Sequence, residues 1–140
     1  NGLRMQVEYS TMDGTVIDPA TIGLGTDFMA SVTLQHPGIG GAYENMALTQ
    51  IFPSGWEILN TRLNDLDQFY AEDIPQYQDI RDDRVYTYFD LGAGERKTFK
   101  VLLNASYAGR FYLPTIYCEA MYDNTLNARQ PGQWVEVVRQ

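Results

Sequence analysis

Hydrophobic and polar residues alternate along most of this chain with the two-residue period of β-strands. In the clearest run, Val85, Thr87, Phe89 and Leu91 share one face and polar or amphipathic residues share the other. Comparable runs occupy residues 3–9, 28–35, 46–52, 99–103, 111–121 and 133–138. Turn residues separate these runs and helical periodicity is nearly absent. The pattern therefore predicts an all-β fold, a two-sheet antiparallel β-sandwich of the immunoglobulin-like kind with seven or eight strands.

The sequence also predicts how the central runs pair. Gly92-Ala93-Gly94 joins the run at 84–91 to the run at 96–104 and supplies the positive backbone dihedrals of a tight reversal. The simplest arrangement is an antiparallel hairpin, which residues 109–121 extend into a three-strand meander. One face of this meander is apolar, so it must pack on a second sheet.

Proline and aromatic residues refine this scheme. Pro114 cannot donate to a ladder, so it predicts an edge position or a bulge. The bulge would switch the buried face from Phe111 and Leu113 to Ile116, Cys118 and Ala120. Trp56 is expected to fill the end of the core, with its N–H donating a hydrogen bond to a carbonyl. Tyr107 is placed where a tyrosine corner would tie its turn to a neighbour, and Trp134 belongs to the last strand.

Residues 59–83 interrupt the alternation with scattered acids and aromatics. A short amphipathic helix from Arg62 to Ala71 would place Leu63, Leu66 and Tyr70 on one stripe. Within the acidic stretch 65–83, the sequence lacks the ligand spacing and glycine of an EF-hand. A solvated acidic loop and a non-standard calcium site remain alternatives.

Charge and composition exclude several classes of function. The chain has 140 residues, which fits a single domain covering 1–140, and its net charge of −8 opposes nucleic acid binding. Cys118 and His36 are the only residues of their kinds, so a disulfide, a zinc site and most nucleophile–histidine schemes lack parts. His36 precedes Pro37 and Gly38 and is predicted to lie in a solvated turn. We therefore expect no catalytic residues, no cofactor and no metal.

Other features bear on the setting of the domain. No stretch approaches the roughly 20 apolar residues of a membrane helix. The chain begins directly on a predicted strand, which suggests a piece cut from a string of domains. Its ten tyrosines allow a carbohydrate-binding or adhesive alternative, in which the outward Tyr86 and Tyr88, joined by Trp134, would stack on sugar rings.

Several runs resemble one family, in that family's order. These are Ala47 to Ile58, Asp79 to Leu91, Tyr107 to Pro114, Cys118 to Asp123, and Trp134-Val-Glu-Val. Together they are similar to the C-terminal macroglobulin-like domain of bacterial alpha-2-macroglobulins. The resemblance implies a non-catalytic module of a large periplasmic or cell-envelope protein, which is itself a lipoprotein. That parent protein traps target proteases and so acts as an endopeptidase inhibitor.

The resemblance also implies a partner within the same large chain. In such relatives the C-terminal domain packs against a thioester domain and shields the thioester bond from water. Met121 and Tyr122 match the feature that makes this contact. Cys118-Glu119-Ala120-Met121 lacks the Cys-x-Glu-Gln thioester pattern, so Cys118 is interpreted as a small buried hydrophobe.

Overall fold

The computed structural model describes residues 2–59 and 75–140, which form strands and contain no helix. The strands are β1 (Arg4–Thr11), β2 (Val16–Ile17), β3 (Thr21–Gly23), β4 (Asp27–Gln35), β5 (Tyr43–Ile51), β6 (Trp56–Ile58), β7 (Tyr77–Ile80), β8 (Arg84–Leu91), β9 (Arg96–Ala105), β10 (Gly109–Leu113), β11 (Ile116–Ala120), β12 (Asp123–Gln130) and β13 (Gln133–Val138). The all-β prediction is confirmed. The helix predicted from Arg62 to Ala71 lies outside the described residues.

These strands form three sheets. Sheet A has the order β2-β1-β4-β9-β6, sheet C the order β12-β11-β5-β8-β7, and the smaller sheet B the order β10-β13-β3. Neighbours are antiparallel in sheets A and C, whereas β13 and β3 of sheet B are parallel. Sheets A and C are the two layers of the predicted sandwich, and sheet B continues the second layer at one end.

The alternation correctly identified the buried faces. In β8 every second residue from Val85 to Leu91 is at most 1% exposed, and in β9 the same holds from Phe99 to Ala105. The buried side chains form two apolar clusters, because both layers direct one parity of each strand inward. One, the Phe89 cluster, lies between sheets A and C. The other, the Trp56 cluster, draws on all three sheets.

The predicted pairing of β8 with β9 is wrong. β8 pairs with β5 and β7 in sheet C, whereas β9 pairs with β4 and β6 in sheet A. The turn between them does reverse the chain, with Gly94 at φ 74° and the Glu95 N–H donating to the Gly92 carbonyl at 2.9 Å. The turn carries the chain from sheet C to sheet A, across the sandwich, instead of joining neighbouring strands of one sheet. Phe89 and Phe99 consequently meet in the core, with ring centroids 4.9 Å apart and ring planes tilted by 51°.

Pro114 marks a second change of sheet. The ladder stops at Leu113, and the chain resumes at Ile116 in a different sheet, since β10 belongs to sheet B and β11 to sheet C. The predicted shift of buried parity is confirmed, because Leu113, Ile116 and Cys118 are all buried. The predicted meander is not formed, because β8 belongs to sheet C, β9 to sheet A, and the predicted third strand is divided between sheets B and C.

Two further details differ from the prediction. β12, the edge strand of sheet C, was not predicted, because its residues are mostly exposed and lack alternation. At the turn before β10, the Ser106 and Tyr107 N–H groups donate to the Gly55 carbonyl at 2.9 and 3.1 Å. The main chain therefore ties this turn to its neighbour, and the Tyr107 side chain itself is 58% exposed.

Candidate contact site at the turn between β11 and β12

Met121 and Tyr122 form the tip of the turn between β11 and β12. Met121 is 53% exposed and Tyr122 is 83% exposed, although the strand that leads to them is buried at Ile116, Cys118 and Ala120. The turn therefore carries an apolar and an aromatic side chain out of the sandwich into solvent. Such residues are common singly on surfaces, but an adjacent pair at a braced tip is suited to contact with another surface.

The tip is braced on both sides. The Met121 N–H donates to the Asn45 carbonyl at 2.9 Å, and Asn45 adopts a positive φ of 55°. The Asn45 N–H in turn donates to Asp90 Oδ1 at 2.9 Å. On the β12 side, Asp123 Oδ1 accepts hydrogen bonds from the hydroxyl and the N–H of Thr125, at 2.6 and 3.1 Å. These bonds lower the pKa of the Asp123 carboxyl, which is therefore an anion at neutral pH.

Cys118 lies three residues before the tip but faces the interior. Its side chain is fully buried in the Phe89 cluster, and burial raises the pKa of its thiol from 9.0 to about 12. The thiolate is the reactive form of cysteine, so this residue has almost none at neutral pH. The predicted small hydrophobe is confirmed.

The three aromatic residues of the carbohydrate alternative lie on two different sheets. Trp134 is 53% exposed on sheet B, where Tyr112 meets it edge-on at 5.4 Å and the Arg110 guanidinium lies 4.4 Å above its ring. Tyr86 and Tyr88 are half-buried on the outer face of sheet C. The structure does not bring these groups together. The contact of Arg110 was not predicted, although its position two residues before Tyr112 places both on one face.

Trp56 fills the end of the core as expected. It is 3% exposed and contacts Phe28 edge-on at 4.9 Å, with Tyr9 and Phe52 slightly farther away. The indole N–H, however, has no hydrogen-bond partner among the described residues. The carbonyl predicted for it is not found there.

The prediction of a solvated His36 is wrong. Its side chain is 1% exposed and stacks on Tyr43 with ring centroids 4.0 Å apart. Nδ1 accepts the Gly38 N–H at 2.9 Å, so the Nε2–H donates to the Gly41 carbonyl at 2.7 Å. The imidazole thus holds the loop between β4 and β5 in place. The sequence pattern did not show that this loop folds back over the ring.

The acidic stretch is only partly described. Asp79 pairs with Arg81 at 3.1 Å and Asp83 with Arg84 at 2.9 Å, both at the surface. Asp82 is exposed, and the other acids of the calcium alternative, from Asp65 to Asp73, lie outside the described residues. Within 2–59 and 75–140 no group of three or more His, Cys, Asp or Glu side chains is arranged to hold a metal ion. The same part of the chain contains no helix with the length and hydropathy needed to cross a membrane.

Comparison with known families now adds to this geometry. Residues 2–124 match the bacterial alpha-2-macroglobulin MG10 domain. The chain belongs to this family. A curated relative, the alpha-2-macroglobulin of Pasteurella multocida, is 29% identical over 127 residues, which cover 91% of this chain and 6% of that protein.

Solved structures show the same fold. A tyrosine-to-glycine mutant of Salmonella alpha-2-macroglobulin matches 99% of this chain and 9% of its own, with a TM-score of 0.83 and 23% identity. Native Escherichia coli alpha-2-macroglobulin, from domain MG7 to the C-terminus, matches 98% of this chain and 23% of its own, with a TM-score of 0.82 and 16% identity. The chain therefore spans a small fraction of the proteins it matches.

Proposed function

We propose that this macroglobulin domain is a non-catalytic, C-terminal module of a protease-trapping alpha-2-macroglobulin and that its β11–β12 tip shields a thioester domain of the same chain. The exposed Met121–Tyr122 pair is the observation that carries the proposal. A thioester resists hydrolysis only where water is excluded, and a polarisable thioether beside an aromatic ring can exclude it.

The construction of the tip supports this role. The hydrogen bonds of Met121 and Asp123 hold the backbone of the turn, so little conformational freedom is lost when the tip meets a partner. The buried side of the same hairpin packs into the Phe89 cluster through Cys118 and Ala120. A rigid sandwich therefore presents two non-polar groups at a defined position.

The test uses the full-length protein that carries this domain. Tyr122→Gly is expected to raise the rate of spontaneous thioester loss, measured as thiol release without methylamine. Tyr107→Gly is the matched control, because Tyr107 is also exposed and lies outside the strands. Equal release rates in the wild type and Tyr122→Gly would contradict the proposal, as would a full-length protein without a methylamine-sensitive thiol.

The same proposal includes the setting of the parent protein. We propose a periplasmic or cell-envelope protein with a lipoprotein leader, in which target proteases act on regions outside this domain. The small share of the Pasteurella multocida relative that the chain covers supports a much larger parent. A gene that encodes little more than these 140 residues behind a secretion signal would instead favour an isolated adhesive or sugar-binding module.

A further inference from the structure

A small basic patch lies on the outer face of sheet A. Arg4, Gln35 and Arg96 stand directly opposite one another on β1, β4 and β9, and we call them the arginine row. Leu34, the neighbour of Gln35, is fully buried, so the row belongs to the solvent face. The two arginine Cα atoms are two strand spacings apart, about 10 Å, which lets both guanidinium groups reach the space above Gln35.

The arginine row lines a pocket that contains no carboxylate. The pocket has a volume of about 440 Å³, and its other lining residues are Met5, Gln6, Thr33, His36 and Pro37. The chain has 18 acidic against 10 basic residues, so acids would be expected beside two arginines. On this face of β1 the first acid is Glu8, two rows beyond Arg4, and it does not line the pocket. The local potential is therefore positive in an acidic protein.

Hydrogen bonds hold one of the guanidinium groups in place. The Gln35 amide nitrogen donates to the carbonyls of His36 and Gly94, at 3.0 and 3.1 Å. Its oxygen consequently faces Arg96, whose Nε–H donates to it at 3.0 Å. This arrangement uses the Nε–H of Arg96 and leaves the outer Nη groups for a ligand. A guanidinium oriented before binding loses less freedom when it binds.

No carboxylate of the described residues neutralises the arginine row. The ion pairs within 2–59 and 75–140 involve Arg81, Arg84 and Lys97. Glu95 precedes Arg96 in the sequence, but its carboxylate accepts the Gly92 N–H at 2.8 Å and lies 3.9 Å from Lys97 Nζ. It is committed to the turn between β8 and β9.

We propose that the arginine row is a binding site for an oxyanion, either a carboxylate or a phosphate group. Guanidinium groups form paired, charge-assisted hydrogen bonds with the coplanar oxygens of such groups. Gln6 supplies a further hydrogen-bonding side chain on the same wall, and opposite it lies Thr33, whose hydroxyl is hydrogen-bonded to that of Thr98 at 2.8 Å. The pocket is larger than one anion, so it also has room for the peptide or small molecule that carries the charge.

The experiment follows the Arg96 Nε–Hε resonance and the backbone amides of Gln6 and Thr33 by NMR at low salt. One titration uses inorganic phosphate, a second uses an acetyl-Gly-Glu-Gly-amide peptide, and the matching Gln peptide is the neutral control. We expect saturable shifts with at least one of the anions and none with the Gln peptide. Shifts with phosphate alone indicate a free anion as the ligand, and shifts with the Glu peptide indicate a carboxylate of a protein.

Charge variants separate this site from general electrostatics. Arg4→Gln combined with Arg96→Gln should weaken anion binding at least about tenfold, as judged by the Gln6 and Thr33 amides. Arg139→Gln removes one positive charge outside the row and should change the affinity by less than about twofold. Gln35→Leu keeps both charges but releases Arg96, and should weaken binding about threefold. The proposal fails if neither anion produces shifts at 20 mM, or if Arg139→Gln weakens binding as much as the double variant.

Discussion

The Phe89 cluster and the Trp56 cluster are built in different ways. The Phe89 cluster lies between sheets A and C, and side chains from alternate positions of β4, β5, β8 and β11, with Phe99 of β9, fill most of it. The Trp56 cluster lies where the chain leaves sheet B for sheet C at Pro114, and it joins residues of all three sheets. Large aromatic rings fill the irregular space there, and Trp56 contacts Tyr9, Phe28 and Phe52.

The two clusters also differ in how well their polar groups are satisfied. Beside the Phe89 cluster, the buried His36 hydrogen-bonds to Gly38 and Gly41, and the buried Thr87 hydroxyl accepts from the Gln78 amide at 3.2 Å. Near the Trp56 cluster, the fully buried Gln50 stands opposite Val85, and neither its amide nitrogen nor its oxygen has a partner among the described residues. The Trp56 N–H likewise has no hydrogen-bond partner among the described residues. The buried polar groups beside the Phe89 cluster are thus satisfied, whereas those near the Trp56 cluster are not, at a cost in stability.

The largest expected effect tests the packing of the Phe89 cluster. Phe89→Ala should lower the free energy of unfolding by about 3–5 kcal/mol, because it empties the space against Phe99 in a region that cannot easily collapse. Urea denaturation measures this change. Tyr88→Ala, on the outer face of the same strand, should cost about 1 kcal/mol. Similar losses at both positions would mean that sheets A and C do not pack as described.

A change at Gln50 tests the polar cost near the Trp56 cluster. Gln50→Met retains the shape of the side chain but removes two unpaired polar groups, so it should raise the free energy of unfolding by about 1–2 kcal/mol. Gln35→Met is the matched control. It should lower stability, since the Gln35 amide makes three hydrogen bonds. A loss of stability in Gln50→Met would show that its amide is satisfied.

The smallest expected effect concerns the one ionisable group of the Phe89 cluster. Burial raises the pKa of Cys118 from 9.0 to about 12, so the unfolded chain loses this proton at lower pH than the folded chain. Stability from this group is complete below pH 9 and decreases above it, by about 1.4 kcal/mol per pH unit, up to the folded pKa. Cys118→Ala should remove that part of the alkaline decline, which is under about 1 kcal/mol by pH 9.5, measured by urea denaturation from pH 8 to 9.5.

The thiol gives a second measurement on the same residue. Native protein at pH 8 should not react with a thiol-specific disulfide reagent, whereas protein in 8 M urea should react fully. Rapid labelling of the native protein would contradict the described burial of Cys118.

Local pattern and long-range contact contributed differently to what could be predicted. The inward face of β8 and β9 was predictable, because a strand's side-chain period depends only on neighbouring residues. Their partners were not, because the turn at Gly92 to Gly94 reverses the chain equally well within a sheet or across the sandwich. The nine-residue ladder between β4 and β9 decides the matter, and its residues are more than sixty positions apart.

The two proposed contact surfaces show the same division. The sequence pointed to Met121 and Tyr122 through resemblance, and a turn follows from the end of alternation at that point. Their exposure depends on how β11 and β12 pack. The arginine row could not have been predicted, because its members lie on three strands and only the register of sheet A places them side by side.

By itself, the sequence determined that this chain is all-β, which side of most strands is buried, and that Pro114 shifts the buried parity, since each of these depends on adjacent residues and local sterics. Only the tertiary structure decided which strands share a sheet, that His36 is enclosed, and which charged groups meet in one pocket. Those outcomes depend on contacts between distant segments, whose free energies are set by packing and register and leave little trace in local composition.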